Sequence, residues 1–228
     1  MMKNLTRRMA VLAIAAAPLT LAACSDDDDS PTAPSAATAQ VRVAHLSPDA
    51  PAVDVYVNGS RAVSGAAFTD VTGYLPVPAG SVNIRVTPAG ATGPAVIDAT
   101  VSLNDGGNYT VAATGLLAGI QPIVLEDDRG TTGQAKVRFV HASPDAPAVD
   151  IAVTGGPVLF SNVSFRQATP YPQVAPSTYD LEARPAGSPA VALEVEGVTL
   201  RPGTNYTIFA VGLLSNNSLA ALPVVDAP

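Results

Sequence analysis

The chain writes one ten-residue segment twice. "HLSPDAPAVD" begins at His45 and "HASPDAPAVD" at His141, and nine of the ten positions are identical. The likeness extends outward: residues 41–57 and 137–153 share 12 of 17 positions. Phe68 then aligns with Phe165, Tyr74 with Tyr171, and Tyr109 with Tyr206. A period of about 96 residues is far too long for a solenoid unit and suits a small sandwich domain. The polar, glycine-bearing stretch "EDDRGTTGQA" (126–135) reads as the joint. Two tandem domains are expected, at 40–127 and 135–226.

Within each copy the hydrophobic period is two. Val53, Val55 and Val57 share a face, with Asp54 and Tyr56 opposite; Val82, Ile84 and Val86 alternate with Asn83 and Arg85. Such alternation reads as half-buried antiparallel strands. Turn signals separate the runs: Asn58-Gly59-Ser60, the segment 88–94 and Asn104 to Gly107. The chain has 21 Pro, 18 Gly and only 14% charged residues, which favours many turns over salt-laced helical faces. About seven strands per copy follow. The expected fold is all-β, two Ig-like or transthyretin-like antiparallel sandwiches.

The N-terminus carries a different message. Lys3, Arg7 and Arg8 precede a short apolar run ending in "LAAC", which resembles a bacterial lipobox closing at Cys24. The resemblance implies that 1–23 is a lipoprotein signal peptide and that Cys24, the only cysteine in the chain, is lipidated. Ser25 rather than Asp follows it, which implies an outer-membrane address. Residues 24–39, acidic at Asp26 to Asp29 and then rich in Pro, Ala, Ser and Thr, read as a flexible tether. Without the leader, nine basic residues stand against 19 acidic ones, a net charge of −10. That balance argues against nucleic-acid partners, which need a basic patch. The expected partners are the membrane, through Cys24, and an envelope protein or glycan.

"VRVAHLSPDAPAVDVYVNG", the "VPAGSVNIRV" strand and the "GGNYTV" strand together resemble the DUF4397 family. The resemblance implies β-rich extracytoplasmic domains, often in tandem, with no assigned activity and no catalytic residues to carry over.

The repeated segment holds residue types that catalysis and metal binding use: His45, Ser47, Asp49 and Asp54, with His141, Ser143, Asp145 and Asp150 in the second copy. A hydrolase would pair Ser47 with His45 and Asp49. On a strand, however, residues two apart stand about 7 Å from each other at roughly 3.3 Å rise, and a nucleophile needs its base at about 3 Å. Zinc wants three or four converging ligands, and each copy has one histidine. Calcium held by Asp49 and Asp54, and by Asp145 and Asp150, is the alternative binding reading. The leading expectation is a braced turn: Ser47 and Asp49 accept backbone N–H groups around Pro48 and Pro51. If 41–45 paired with 53–57, Arg42 would lie diagonal to Asp54, and Arg138 to Asp150, as cross-strand charge pairs. Tyr109 and Tyr206 suit tyrosine corners, ring in the core and hydroxyl on backbone. No cofactor is implied. The functional expectation is a non-catalytic module for binding, adhesion or envelope structure, with a ligand or calcium sensor second and an enzyme third.

Overall fold

Among the described residues, sixteen strands build four sheets, and the order of the chain through them explains the role of the repeated segment. The computed structural model describes residues 36–91 and 93–227. The leader, Cys24 and the acidic run of the tether lie outside the described residues.

The first copy contains β1 (Thr38–Leu46), β2 (Val53–Val57), β3 (Ser60–Ala66), β4 (Leu75–Pro78), β5 (Gly80–Pro88), β6 (Ile97–Leu103), β7 (Asn108–Thr114) and β8 (Gln121–Glu126). The second repeats them as β9 (Ala135–His141), β10 (Val149–Val153), β11 (Val158–Val163), β12 (Gln173–Val174), β13 (Ser177–Pro185), β14 (Leu193–Leu200), β15 (Asn205–Val211) and β16 (Ala220–Ala227). Each copy is a sandwich of two four-stranded sheets, ordered β4-β1-β7-β8 and β3-β2-β5-β6, then β12-β9-β15-β16 and β11-β10-β13-β14. The count is eight strands per copy, not seven. The order also differs from the ABED/CFG order of a constant immunoglobulin domain, because β1 sits between β4 and β7 and pairs parallel with β7.

The expected pairing of β1 with β2 does not occur. The two strands lie in opposite sheets, so the decapeptide is the corner where the chain crosses the sandwich. Arg42 therefore does not meet Asp54, nor Arg138 Asp150. The Asn58-Gly59 turn does appear between β2 and β3, with both residues at positive φ (48° and 81°), as a tight hairpin of right-handed strands requires.

Period two is visible in the packing. Val41, Val43, Val53, Val55, Val82, Ile84, Val86 and Val111 fill the first sandwich. Val137, Phe139, Val149, Ile151, Leu181 and Ile208 fill the second. A third apolar cluster lies between the sandwiches, made by the other faces of β1, β7, β9 and β15: Ala44, Leu46 and Ala112 against Val140, Ala142, Phe209 and Val211. These central strands are thus buried on both sides, which is why "TVAAT" and "TIFAV" run apolar with small residues rather than alternating cleanly. From Ala36 onward the chain is one compact unit.

Candidate functional site

In both copies the decapeptide is consumed by the corner it forms. His45 is fully buried; its Nε2 donates to the Pro51 carbonyl at 3.0 Å, and its Nδ1 accepts the Ser47 N–H at 3.3 Å. Both contacts together specify a neutral ring protonated on Nε2. Ser47 Oγ, also fully buried, donates to the Gly115 carbonyl at 2.6 Å. Asp49 accepts the Leu117 N–H at 2.7 Å. The corner thereby fastens the turn between β7 and β8, which leaves the sheet at the same end because β1 and β7 run parallel.

Asp54 faces elsewhere. It accepts the N–H groups of Gly65 at 2.8 Å and Gly90 at 3.1 Å, bracing the irregular pairing of β3 with β2 and the turn after β5. These donors hold its carboxyl below the ordinary carboxylate range. The exposed Arg61 guanidinium lies 3.6 Å away.

The second copy follows the same plan. His141 Nε2 donates to Pro147 O at 2.9 Å, and Asp150 accepts from Asn162 and Gly187 at 2.7 and 2.9 Å. Asp145 accepts from Leu214 and Ser215 at 2.8 and 2.9 Å. Burial alone would raise its carboxyl, but these donors hold it low. Ser143 departs from the pattern: its Oγ turns to Asp145 at 3.4 Å instead of reaching the carbonyl of the facing turn.

The chemistry available here is limited by these bonds. Ser47 meets His45 through its backbone nitrogen, not its hydroxyl, so no nucleophile–base contact is present. Asp49 and Asp54 serve separate backbone donors. Among the described residues, no group of three or more His, Cys, Asp or Glu side chains is placed to hold a metal ion. Tyr109 and Tyr206 form tyrosine corners, their hydroxyls accepting the N–H groups of Asn104 and Arg201 at 3.0 and 3.1 Å.

A second polar constellation lies outside the decapeptide. Between the sandwiches, Arg42 is 1% exposed. It donates to Thr110 Oγ1 at 2.7 Å and Val225 O at 3.1 Å, and it pairs with Asp226 of the other sandwich. Arg138 returns the exchange: it donates to Thr207 Oγ1, to Glu126 O at 2.9 Å and to Asp127 at 2.5 Å. Tyr74 and Tyr171 each donate to the aspartate of their own sandwich at 2.8 Å and lie under an arginine of their own sandwich. Burial raises both phenols well above the usual 10.0. The arrangement is isologous, each half giving an arginine and an aspartate. Its sequence signal is repetition alone: Arg42 and Arg138, Thr110 and Thr207, and Tyr74 and Tyr171 recur at the period of the duplication.

Arg166 breaks the symmetry. It leaves the second sandwich beside the end of β9, where its N–H donates to His141 O at 2.7 Å. Its guanidinium donates to the carbonyls of Thr114 and Gly119 in the first, at 3.1 and 3.0 Å. The equivalent residue in the first copy is Thr69, which also has positive φ and also donates to its histidine's carbonyl. Both sandwiches therefore present their decapeptide corners at one end of the molecule, away from Ala36.

No curated protein matches the chain. Among solved structures it matches the CBMbc module (family CBM26) of Eubacterium rectale Amy13K, solved in complex with maltoheptaose. The identity is 9% and the TM-score 0.26, over 84% of this chain and 98% of that one. Nothing about ligand or activity follows from a likeness of that degree. The family model for "Domain of unknown function (DUF4397)" matches twice, at residues 39–152 and 135–228, and together these span nearly all that follows the leader and tether. The chain belongs to the DUF4397 family and carries two copies of its domain.

Proposed function

We propose that the protein is a non-catalytic extracytoplasmic module for binding, adhesion or envelope structure, anchored through lipidated Cys24 and held off the membrane by the acidic tether. The observation that supports a non-catalytic role is the bonding of the decapeptide. Its histidine and aspartates in both copies, and its serine in the first, the residues an enzyme or a calcium site would free for its ligand, are engaged with backbone groups of the fold.

Two experiments test the reading. The full chain is melted with calcium, magnesium, zinc and a panel of glycans. A ligand of the native state raises the melting temperature by mass action. A calcium sensor would gain stability with calcium and lose that gain in Asp49→Ala and Asp145→Ala; the reading here expects no such gain. For the anchor, Cys24→Ser is expected to leave the membrane fraction, and a variant that stays there contradicts it.

A further inference from the structure

The two sandwiches differ in how fully they fill the space between their sheets. In the second, a cavity of about 40 Å³ lies between the sheets, lined by Ile151, Leu181, Ala183, Leu193, Ile208 and Ala210 among others. Their counterparts in the first sandwich, Val55, Ile84, Val86, Ile97, Val111 and Ala113, line a space of about 10 Å³.

Two differences between the copies bear on this space. Ala183 stands where the first copy has Val86, so two methyl groups are missing from the wall. The edge strand β14 also carries a bulge that its counterpart β6 lacks. In the first copy Ile84 and Val82 of β5 oppose Ala99 and Val101. In the second, Leu181 and Tyr179 of β13 oppose Val195 and Val198, so β14 has one residue more over the same stretch. Gly197 takes up the extra residue at a φ of 69°, and its N–H is held by Asp180 at 2.8 Å. A bulge bends its strand and is a common device beside binding sites.

Water fits the cavity by size, since one water needs about 10–15 Å³ of such space. It does not fit by bonding. A buried water makes about three hydrogen bonds, and no polar atom faces this cavity. Among the described residues, none of the buried side-chain atoms left without a partner belongs to its lining. Apolar cavities stay dry and take apolar guests; one of about 150 Å³ holds benzene or xenon. A space about a quarter of that size is too small for benzene and suits a guest of one or two heavy atoms.

A way in is also visible. Val195, Val198, Leu200, Ile208 and Ala221 line both the cavity and an open surface groove of about 490 Å³. A single layer of side chains therefore stands between cavity and groove, beside the bulged edge strand. Local opening of an edge strand takes far less than global unfolding.

We propose that this cavity is a binding site for one small nonpolar molecule, of the class of xenon, methane or ethane, admitted past Val195 and Val198 at the β14 edge. The site belongs to the second sandwich only. It goes beyond the non-catalytic reading and does not rest on it.

The first sandwich serves as the internal control. The full chain, with ¹³C-labelled Ile, Leu and Val methyl groups, is equilibrated with xenon under pressure, and with helium at the same pressure. Xenon is expected to move the methyl resonances of Ile151, Leu181, Val195 and Ile208 saturably. Those of Val55, Ile84 and Val111 are expected to stay where helium leaves them. Methane is expected to compete with xenon, and benzene is not. Ala210→Val on β15 and Ala183→Val on β13 fill the space from opposite sheets, and each is expected to abolish the xenon shifts. Four results overturn the proposal. The four methyl-bearing residues show no saturable shift. The first sandwich responds as the second does. Without gas, those methyl groups show magnetisation transfer from a held water. Or either filled variant, folded by its amide spectrum, responds as the wild type does.

Discussion

The two sandwiches share a signature and differ in how completely it closes. In the first, every buried polar side-chain atom of the corner finds a partner, and the adjoining core leaves about 10 Å³. In the second, the facing turn is two residues longer, Ser143 Oγ has no carbonyl partner, Nδ1 of His141 has no protein partner, and a cavity of about 30 Å³ lies beside the ring. A separate apolar cavity of about 40 Å³ lies between its sheets, lined by Phe139, Phe160, Leu181, Val195 and Ala210 among others. Near-identical decapeptides thus give the same backbone corner but not the same surroundings. The corner is set by short-range bonds within the motif; its seal is set by a turn 69 residues further on, where Asp145 meets Leu214.

The comparison can be broken most severely at the face the two sandwiches share. Asp127→Ala leaves Arg138 of the opposite sandwich without its carboxylate, and Asp226→Ala leaves Arg42 with only Asp127 of its own sandwich, 3.7 Å away. Each is expected to cost about 3–5 kcal/mol, read by urea unfolding. Losses in both variants, the larger in Asp127→Ala because Asp127 faces both arginines, support the arrangement, and a loss in only one variant contradicts it. Next come the corners. His45→Leu leaves the Pro51 carbonyl and the Ser47 N–H unmet, whereas His141→Leu leaves only the Pro147 carbonyl, so His45→Leu is expected to be worse by about 1–3 kcal/mol. Smaller still are two matched core changes. Ala210→Val has about 40 Å³ of cavity to enter, and at about 24 cal/mol per Å³ the gain is at most about 1 kcal/mol. Ala113→Val, its counterpart in the tighter sandwich, is expected to destabilise. The smallest effect concerns pH. Burial pulls His141 below its usual 6.5, with the Pro147 carbonyl opposing. The unfolded chain therefore takes up that proton first as pH falls. The stability the neutral ring contributes is complete above 6.5 and is lost as pH drops through the folded value. Wild type should lose more stability than His141→Phe between about pH 7 and about pH 5.

Much of this fold was legible in the residues. Val53, Val55, Val82, Ile84 and Val86 announced their inward faces by alternation, Asn58-Gly59 its hairpin, and the tyrosines their corners. The pairing of β1 was not legible, because Val43 facing Val55 fits a hairpin and a two-sheet core equally well. The second face of β1 and β7 was not legible either. Thr110, Ala112 and Ala44 are small residues that suit solvent and close packing alike, and Arg42 looked like a surface charge. Only the position of a second sheet turns them into an interface. The corner's bracing role was readable from Ser, Asp and Pro in one turn, but its partners on the β7–β8 and β15–β16 turns were not.

The central claim is that the two DUF4397 domains are joined by Arg42, Asp127, Arg138 and Asp226 into one cooperative unit. It is tested most directly by placing fluorinated tyrosine throughout the chain and following urea unfolding at Tyr56 of the first sandwich and Tyr179 of the second. The account predicts coincident transitions, both moved to lower urea by Asp226→Ala. Two separate transitions in the wild type, or a shift confined to Tyr179 in the variant, would contradict it.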